Sequence, residues 1–524
     1  MQPTDGPAVE SLFPKLWRTR SASATIRWID LSAYSLGASI MDRRDFLCST
    51  AAGLALAGLG ADRGMRPAWA HEGHDHKEGQ GRTYATPKDA MKSPREELAY
   101  VVGVYVGTET KKPDFLATID TDPKSKTFGQ IIHRLPMPNV GDELHHFGWN
   151  ACASCHGERA RTHLIVPGLR SSRIHIIDTT KPREPKIVKV IEPDEIIKKT
   201  KLTAPHTVHC RADGTIMISM LGNENGDGPG GFLLLDEKFN VAGRWEADLK
   251  GMNYNYDFWY QPRHDVMVSS EWGSPNTTRP GFKLEDVKAG KYGQHLHFWD
   301  WEKRTIAQSI DLGAKGLIPL EVRFHHNPES TQGFVGAALS SVVWAWRHDK
   351  EEKKWKADPV IEVESKEVAG WPFPVPGLIT DVVLSMDDRW LYFSNWLHGD
   401  IRQYDVSDPQ KPKLTGQLWL GGVLGKGQKV KGEAVAGGPQ MLQISLDGKR
   451  LYVTTSLVSS WDNQFYPDIA KRGSVMLMAD CDTEKGGLTL NEKFVVDFGK
   501  EPEGPARAHE MRFLRGDSTS DIWM

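Results

Sequence analysis

A sevenfold repeat limits the folds open to this chain. Short runs of β-forming residues, each ending in aspartate, recur as FLATID at Asp120, SRIHIID at Asp178, GFLLLD at Asp236, LHFWD at Asp300, AWRHD at Asp349, IRQYD at Asp405 and VMLMAD at Asp480. Successive separations are 58, 58, 64, 49, 56 and 75 residues. Further β-type runs, such as TIMISM and RWLYFS, lie between the markers and are separated by Gly, Asn, Asp and Pro. A period of roughly 40 to 50 residues holding four strands is a propeller blade, and longer periods reflect inserted loops. The repeat therefore predicts an all-β, seven-bladed β-propeller with a few short helical insertions, PDEIIKKTKL near residues 193–202 being one. A string of β-sandwich domains would need composition breaks at linkers, and none appears after about residue 85. The 18 tryptophans and 50 glycines agree with many strands and tight turns.

The N-terminal part reads as an address. Arg43-Arg44 opens RRDFLCSTAAGLALAGLGA, a twin-arginine signature with an apolar run too short to span a bilayer, and Ala68-Trp69-Ala70 is an A-x-A cleavage site. Residues 1–40 fit poorly even to a long n-region, which points to Met41 as the start. The expected organisation is a cleaved extension and signal peptide over 1–70, a His-rich flexible N-terminus over 71–82, and one propeller domain over 83–524. Twin-arginine export implies the periplasm. Cys152, Cys155, Cys210 and Cys481 follow the cleavage site, too few for a disulfide framework. The net charge of −3, with both signs interspersed, offers no basic stripe for nucleic acid and no polybasic membrane patch.

With the aspartates as a ruler, histidines recur. His145, His206, His264, His326 and His509 fall 25, 28, 28, 26 and 29 residues after a marker. If each marker closes a third strand, that offset lands where the chain enters the next blade beside the central channel. His398, in NWLHGD, belongs to a turn between second and third strands, which opens on the same face. His145, His146, His206, His209, His326, His398 and His509 are thus predicted to converge as a metal site, and imidazoles with an open position suit copper, zinc or iron better than calcium or magnesium. For any one of them the plainer role is a hydrogen bond to a backbone carbonyl. His264, in a polar turn, reads as structural. His71, His74 and His76 form a metal-scavenging tract. Tyr256, Asp257, Trp259 and Glu271 in YDFWYQPRHDVMVSSEW are further candidates, Asp257 and Glu271 as general bases. Cys210, in APHTVHC, reads as a buried small residue.

Cys152-x-x-Cys155-His156 spells a haem attachment site, but about 20 residues before RSSRIHIID leave no room for a haem domain, and covalent haem attachment needs unfolded export. The cysteine pair is left as a redox pair, a metal site or a structural clasp.

The strings RLPMPNVGDELHHFGWNACASC, APHTVHC, YDFWYQPRHDVM, EVRFHHNPESTQGFVG, PGLITDVVLSMDDRWLYFSNWLHGDIRQYDVSDPQKPKLTGQ, GGPQMLQISLDGKRLYVTTS, GPARAHEMR and SDIWM closely resemble the selenium-binding protein / methanethiol oxidase family from about Thr83 to Met524. The resemblance implies a seven-bladed propeller and, for exported bacterial members, a copper-dependent oxidase. Its reaction takes methanethiol, oxygen and water to formaldehyde, hydrogen sulfide and hydrogen peroxide. All seven histidines predicted to converge lie in matching strings. Gly129 stands where animal members carry a cysteine associated with selenium, so selenium binding through that position is not expected, and His156 matches no family ligand. Cys152 and Cys155 enter the catalytic set as the redox pair. The competing reading is a non-enzymatic metal-, selenium- or thiol-binding propeller that docks partners on its channel face.

Overall fold

In the computed structural model, residues 83–154 and 159–524 are described; the expected signal peptide, the His71–His76 tract, Cys155 and His156 lie outside them. Among the described residues the chain forms seven four-stranded antiparallel sheets arranged as propeller blades. Blade 1 contains Leu98–Val104, Phe115–Asp120 and Ile131–Pro136, and its inner strand is the C-terminal Arg507–Phe513, which pairs with Leu98–Val104 and closes the ring. The inner strands of blades 2 to 7 are Gly148–Trp149, Leu202–Cys210, Phe258–Gln261, Pro319–Phe324, Ile379–Leu384 and Leu442–Ile444. No helix among the described residues is long and apolar enough to cross a membrane.

The aspartate markers close third strands, as the spacing predicts, and their chemistry explains the repeat. Asp120, Asp178, Asp236, Asp349 and Asp405 each accept a hydrogen bond from the backbone N–H two residues on, at 2.8–3.0 Å, and Asp300 accepts one from Lys303 N at 2.9 Å. A short carboxylate that bonds its own backbone in this way fixes the turn into the outer strand. In blade 7 the job passes from Asp480 to Asp482, which accepts from Glu484 N at 2.9 Å. The helical insertion is Pro193–Thr200, between blades 2 and 3. Pro193 opens it at a position where no N–H is needed, Ile196 is buried, and left-handed Lys201 ends it.

Blades are stitched together near the channel by one repeated bond. A hydroxyl on a second strand donates to a carbonyl at the start of the next blade's inner strand: Ser219 to Tyr256 O at 2.6 Å, Ser270 to Leu320 O at 2.6 Å, Ser394 to Gln440 O at 2.7 Å and Thr454 to His509 O at 2.7 Å. Blade 2 is the exception in length, with an inner strand of two residues. It is held instead by close packing on blade 3, where a Cβ at Gly148 would lie 2.5 Å from the Val208 carbonyl oxygen. Gly148→Ala is therefore expected to lower stability by about 1–3 kcal/mol, read by denaturant unfolding, because the neighbour is backbone and cannot turn aside.

A C-terminal tail seals blade 2 from the other side. Buried Arg161 donates to Asp517 and to Asp521, the latter at 2.7 Å, and lies 4.5 Å over the Trp149 ring. Trp149 Nε1 donates to Asp517 at 3.0 Å, and Ala153 N to Asp521 at 2.7 Å.

Candidate metal centre

The inner strands run parallel, so the rim of the channel where they begin, here the upper rim, collects equivalent positions. Four of them carry an extra residue there relative to their partner strand. The steps are Pro205 to Val208 against Met220 to Ile218, Pro319 to Val322 against Ala337 to Val335, Ile379 to Asp381 against Asn395 to Ser394, and Ala508 to Met511 against Gly103 to Val101. A bulge re-aims a side chain and is often found beside a functional site. These four hold His206 and Thr207, Glu321, Thr380, and His509 with Glu510. Pro205 has no N–H to leave unpaired at the break.

The result is a cluster of four buried imidazoles. His145 stacks on His509 with ring centroids 3.8 Å apart, His146 lies 3.9 Å from His206, and His145 is 4.9 Å from His146 and 5.1 Å from His206. Ring nitrogens of His145, His146 and His509 come within 4.8 Å of one another, as do those of His146 and His206 with a Glu321 oxygen. Glu321 and Glu510 sit beside His146, at 3.7 Å from Nε2 and 3.3 Å from Nδ1.

Hydrogen bonds fix which nitrogen faces inward. His509 Nδ1–H donates to Ser456 O at 2.8 Å, leaving Nε2 as a lone pair. The Thr207 hydroxyl gives its only proton to Asp257 at 2.6 Å, so it accepts from His206 Nδ1–H at 3.1 Å, and His206 Nε2 is likewise bare. The Nε2 atoms of His146, His206 and His509 and Oε1 of Glu321 are buried without a hydrogen-bond partner. Buried polar atoms are rarely left so, and a convergent set of lone pairs oriented from behind is how proteins present imidazole to a transition metal. The donor set fits copper.

Asp257 supports this set from behind rather than acting as a base. It accepts from Val322 N and Arg323 at 2.8 Å each and from Thr207, and the Arg323 guanidinium helps hold its carboxyl below the usual range. Burial beside that carboxylate pushes Glu321 well up and holds its proton. Asp257→Ala would leave Arg323 buried with one partner fewer. A loss of about 3–5 kcal/mol in stability is expected by denaturant unfolding, together with rotation of His206.

Burial, reinforced by the neighbouring histidines and Arg507, keeps the four imidazoles neutral. His145 and His146 lie well below the ordinary value, His206 is pushed down to about 3 and His509 to about 4. Their stabilising effect is complete above the unfolded value near 6.5 and is lost as pH falls toward 4 and then 3. Burial raises Glu510 to about 7 and Asp381 to about 6, with the opposite sign: their effect is lost as pH rises through those values, so the two sets offset in global stability. The imidazoles themselves give the clean readout. In metal-free protein, nitrogen NMR should show the cluster as neutral imidazoles from pH 7 to pH 5, where an ordinary histidine titrates.

The other predicted residues go elsewhere. His209 Nδ1 faces Ser520 O at 3.2 Å, His326 Nε2 faces Leu384 O at 3.2 Å, and His398 Nε2 faces Val375 O at 2.9 Å, each the plain carbonyl-bonding role. His326 follows its inner strand rather than preceding it, because EVRF is the strand and HH the turn beyond. His264 ends a 3₁₀ turn between first and second strands. Glu271 braces blade 4, accepting from His295 Nδ1 at 2.9 Å, His297 Nε2 at 3.1 Å and Asn253 N at 3.1 Å, with a pKa held far below normal by those bonds. Cys152 follows its inner strand, and Cys210, which it touches, ends one, so Cys152 sits at the opposite rim and not beside the histidines. His206 is four residues from Cys210, about 13 Å along a strand.

Sequence reasoning missed Glu321, Glu510, Arg323 and Arg512. Their signal was the E-x-R spacing in EVRF and EMR, an acid and a base two residues apart and so on one face of a strand. Arg323 Nη2 donates to Glu321 at 2.8 Å, and Arg512 Nη1 to Glu510 at 2.5 Å.

Beside the cluster lies a small, partly open pocket. His145, Tyr256 and Thr380 form its polar part, and aliphatic and tryptophan side chains, among them Trp272, Leu378 and Trp461, its apolar wall. Tyr256 packs on His206 with ring centroids 4.1 Å apart.

Comparison with known proteins places this arrangement in a family. The profile described as 56kDa selenium binding protein (SBP56) matches residues 78–524. Proteins named methanethiol oxidase from Xenopus laevis and Homo sapiens are each 56% identical over 466 residues, covering 85% of this chain and 98% of theirs. A mouse protein named selenium-binding protein 2 is 54% identical over the same length. The crystal structure of a hypothetical selenium-binding protein from Sulfolobus tokodaii superposes with a TM-score of 0.80 at 46% identity, covering 84% of this chain and 98% of that one. The chain belongs to the 56 kDa selenium-binding protein family.

Proposed function

We propose that this protein is a copper-dependent methanethiol oxidase acting at the upper-rim histidine cluster, exported to the periplasm. The observation that carries the metal is the set of buried, unpartnered Nε2 atoms on His146, His206 and His509. The substrate follows from the relatives named methanethiol oxidase at 56% identity and from the shape of the pocket, whose apolar wall suits a methyl group with His145 at its polar side.

His145, His146, His206 and His509 would hold the ion, with Glu321 as a further oxygen donor. Copper there would supply a site that binds sulfur as thiolate and passes electrons to oxygen. The protein's own groups do the rest. Trp272, Leu378 and Trp461 exclude bulk water from the methyl group. Glu321, 3.7 Å from His146 and held protonated by burial beside Asp257, is the carboxyl placed to release a proton when a cation binds and to take one from substrate. Asp257 and Ser456 hold the imidazoles in place without exchanging protons with substrate.

Oxygen uptake on adding methanethiol tests the reading. Copper-reconstituted protein should consume both and release peroxide and formaldehyde, and dialysed protein should not. Copper bound without turnover would replace the enzyme with a metal-binding docking module.

A further inference from the structure

Cys152 and Cys210 find no part in that chemistry, yet their sulfurs are in contact. Cys152 Sγ and Cys210 Sγ lie 2.6 Å apart, both buried, 58 residues apart in sequence. Thiolates sharing one metal ion stand further off, since metal–sulfur bonds of about 2.3 Å at tetrahedral angles hold sulfurs roughly 3.8 Å apart. The approach is that of sulfurs about to bond. Cys152 also points at Ser520 O, 3.6 Å away, in the C-terminal tail, and the backbone carbonyl of Cys210 accepts from Tyr260 at 2.5 Å. Each cysteine is thus held by groups that are not its sulfur partner.

The geometry points to a Cys152–Cys210 disulfide, a redox-formed clasp between blades 2 and 3 at the lower rim. Oxidation needs a two-electron acceptor, and a small-molecule disulfide is the class proposed. The Cys152 thiolate attacks one of its sulfurs, that S–S bond breaks, and one small thiolate leaves. The Cys210 thiolate then attacks the Cys152 sulfur of the mixed disulfide and expels the second. Two protein thiols are oxidised, one small disulfide is reduced to two thiols, and the protons from Cys152 and Cys210 go to the leaving groups.

The place of the bond says what it does. Blade 2 has the shortest inner strand among the blades, Gly148–Trp149, and that strand carries His145 and His146 just before it and Cys152 just after it. Blade 3 carries His206 and Cys210 on one strand. A bond at the lower rim therefore locks together the two segments that supply three of the four upper-rim imidazoles. Cross-linking residues so distant in sequence also restricts the unfolded chain.

Peptide mapping of the full chain tests this. Reduced protein is incubated with oxidised glutathione, capped and digested without reduction. Cys152 and Cys155 share one tryptic peptide, so wild type and Cys155→Ser are compared. Two thiols should be lost, and the peptide 135–159 should be joined to 202–211 in both proteins, but not in Cys152→Ser or Cys210→Ser. Oxidation should raise the unfolding temperature of wild type and Cys155→Ser by several degrees and leave Cys210→Ser unmoved. A bond from Cys152 to Cys155, a stable glutathione adduct, or an unchanged thiol count would overturn the proposal.

Discussion

His206→Ala is expected to lower methanethiol-dependent oxygen uptake by about a hundredfold or more while the propeller stays folded. His206 sits at the centre of the cluster, 3.9 Å from His146 and 5.1 Å from His145, and its inward Nε2 has no hydrogen-bond partner to replace a metal. Loss of groups that merely orient a ligand typically lowers metal affinity or activity 10- to 100-fold, and a ligand itself weighs at least as much. The fold should survive because His206 is neutral and its one protein bond, to Thr207, is neutral too. His398→Ala makes the contrast. Its ring bonds Val375 O and lies outside the cluster, so turnover should change little. Parallel measurement of copper content and circular dichroism separates metal loss from unfolding.

Ending the chain at Pro505 is expected to abolish soluble, folded protein altogether. The missing segment includes Arg507–Phe513, the inner strand of blade 1, and leaves Leu98–Val104 as an unpaired apolar edge. It also removes Asp517 and Asp521, so that Arg161, fully buried, loses both carboxylates. Breaking one buried pair typically costs about 3–5 kcal/mol. His509 is lost with the strand. Soluble yield and far-ultraviolet circular dichroism report the outcome.

The fold was legible because the aspartates that mark it have a local job. A carboxylate that bonds the amide two or three residues on recurs at six of the seven third-strand markers, passing to Asp482 in the seventh, and a spacing ruler built on it counts blades correctly. The site was only half legible, for a reason the strands make plain. Residue counting assumes a regular ladder, whereas the inner strands of blades 1, 3, 5 and 6 each gain a residue near the rim. His145 and His146 were found because they lie just ahead of their strand, and His206 and His509 because they sit in the bulges at the upper rim. His326 was drawn in by the same offset, and His209 by its place three residues after His206, but His326 lies just past its strand and His209 near the end of its own, at the far end of the channel wall. Glu321 and Glu510 were passed over because an acid on a β-strand is ordinarily solvated, and only the ring of blades shows that this face has no solvent. Cys152 and Cys155 attracted attention as neighbours in sequence, while the partner in contact with Cys152, Cys210, lies one blade away.

The measurement that bears most directly on the account is X-ray absorption spectroscopy at the copper edge of the reconstituted full-length protein. Coordination by nitrogen from several imidazoles, with no sulfur in the shell until methanethiol is added, is the predicted result. Sulfur ligation in the resting protein would place the metal at the cysteines and contradict an upper-rim histidine site.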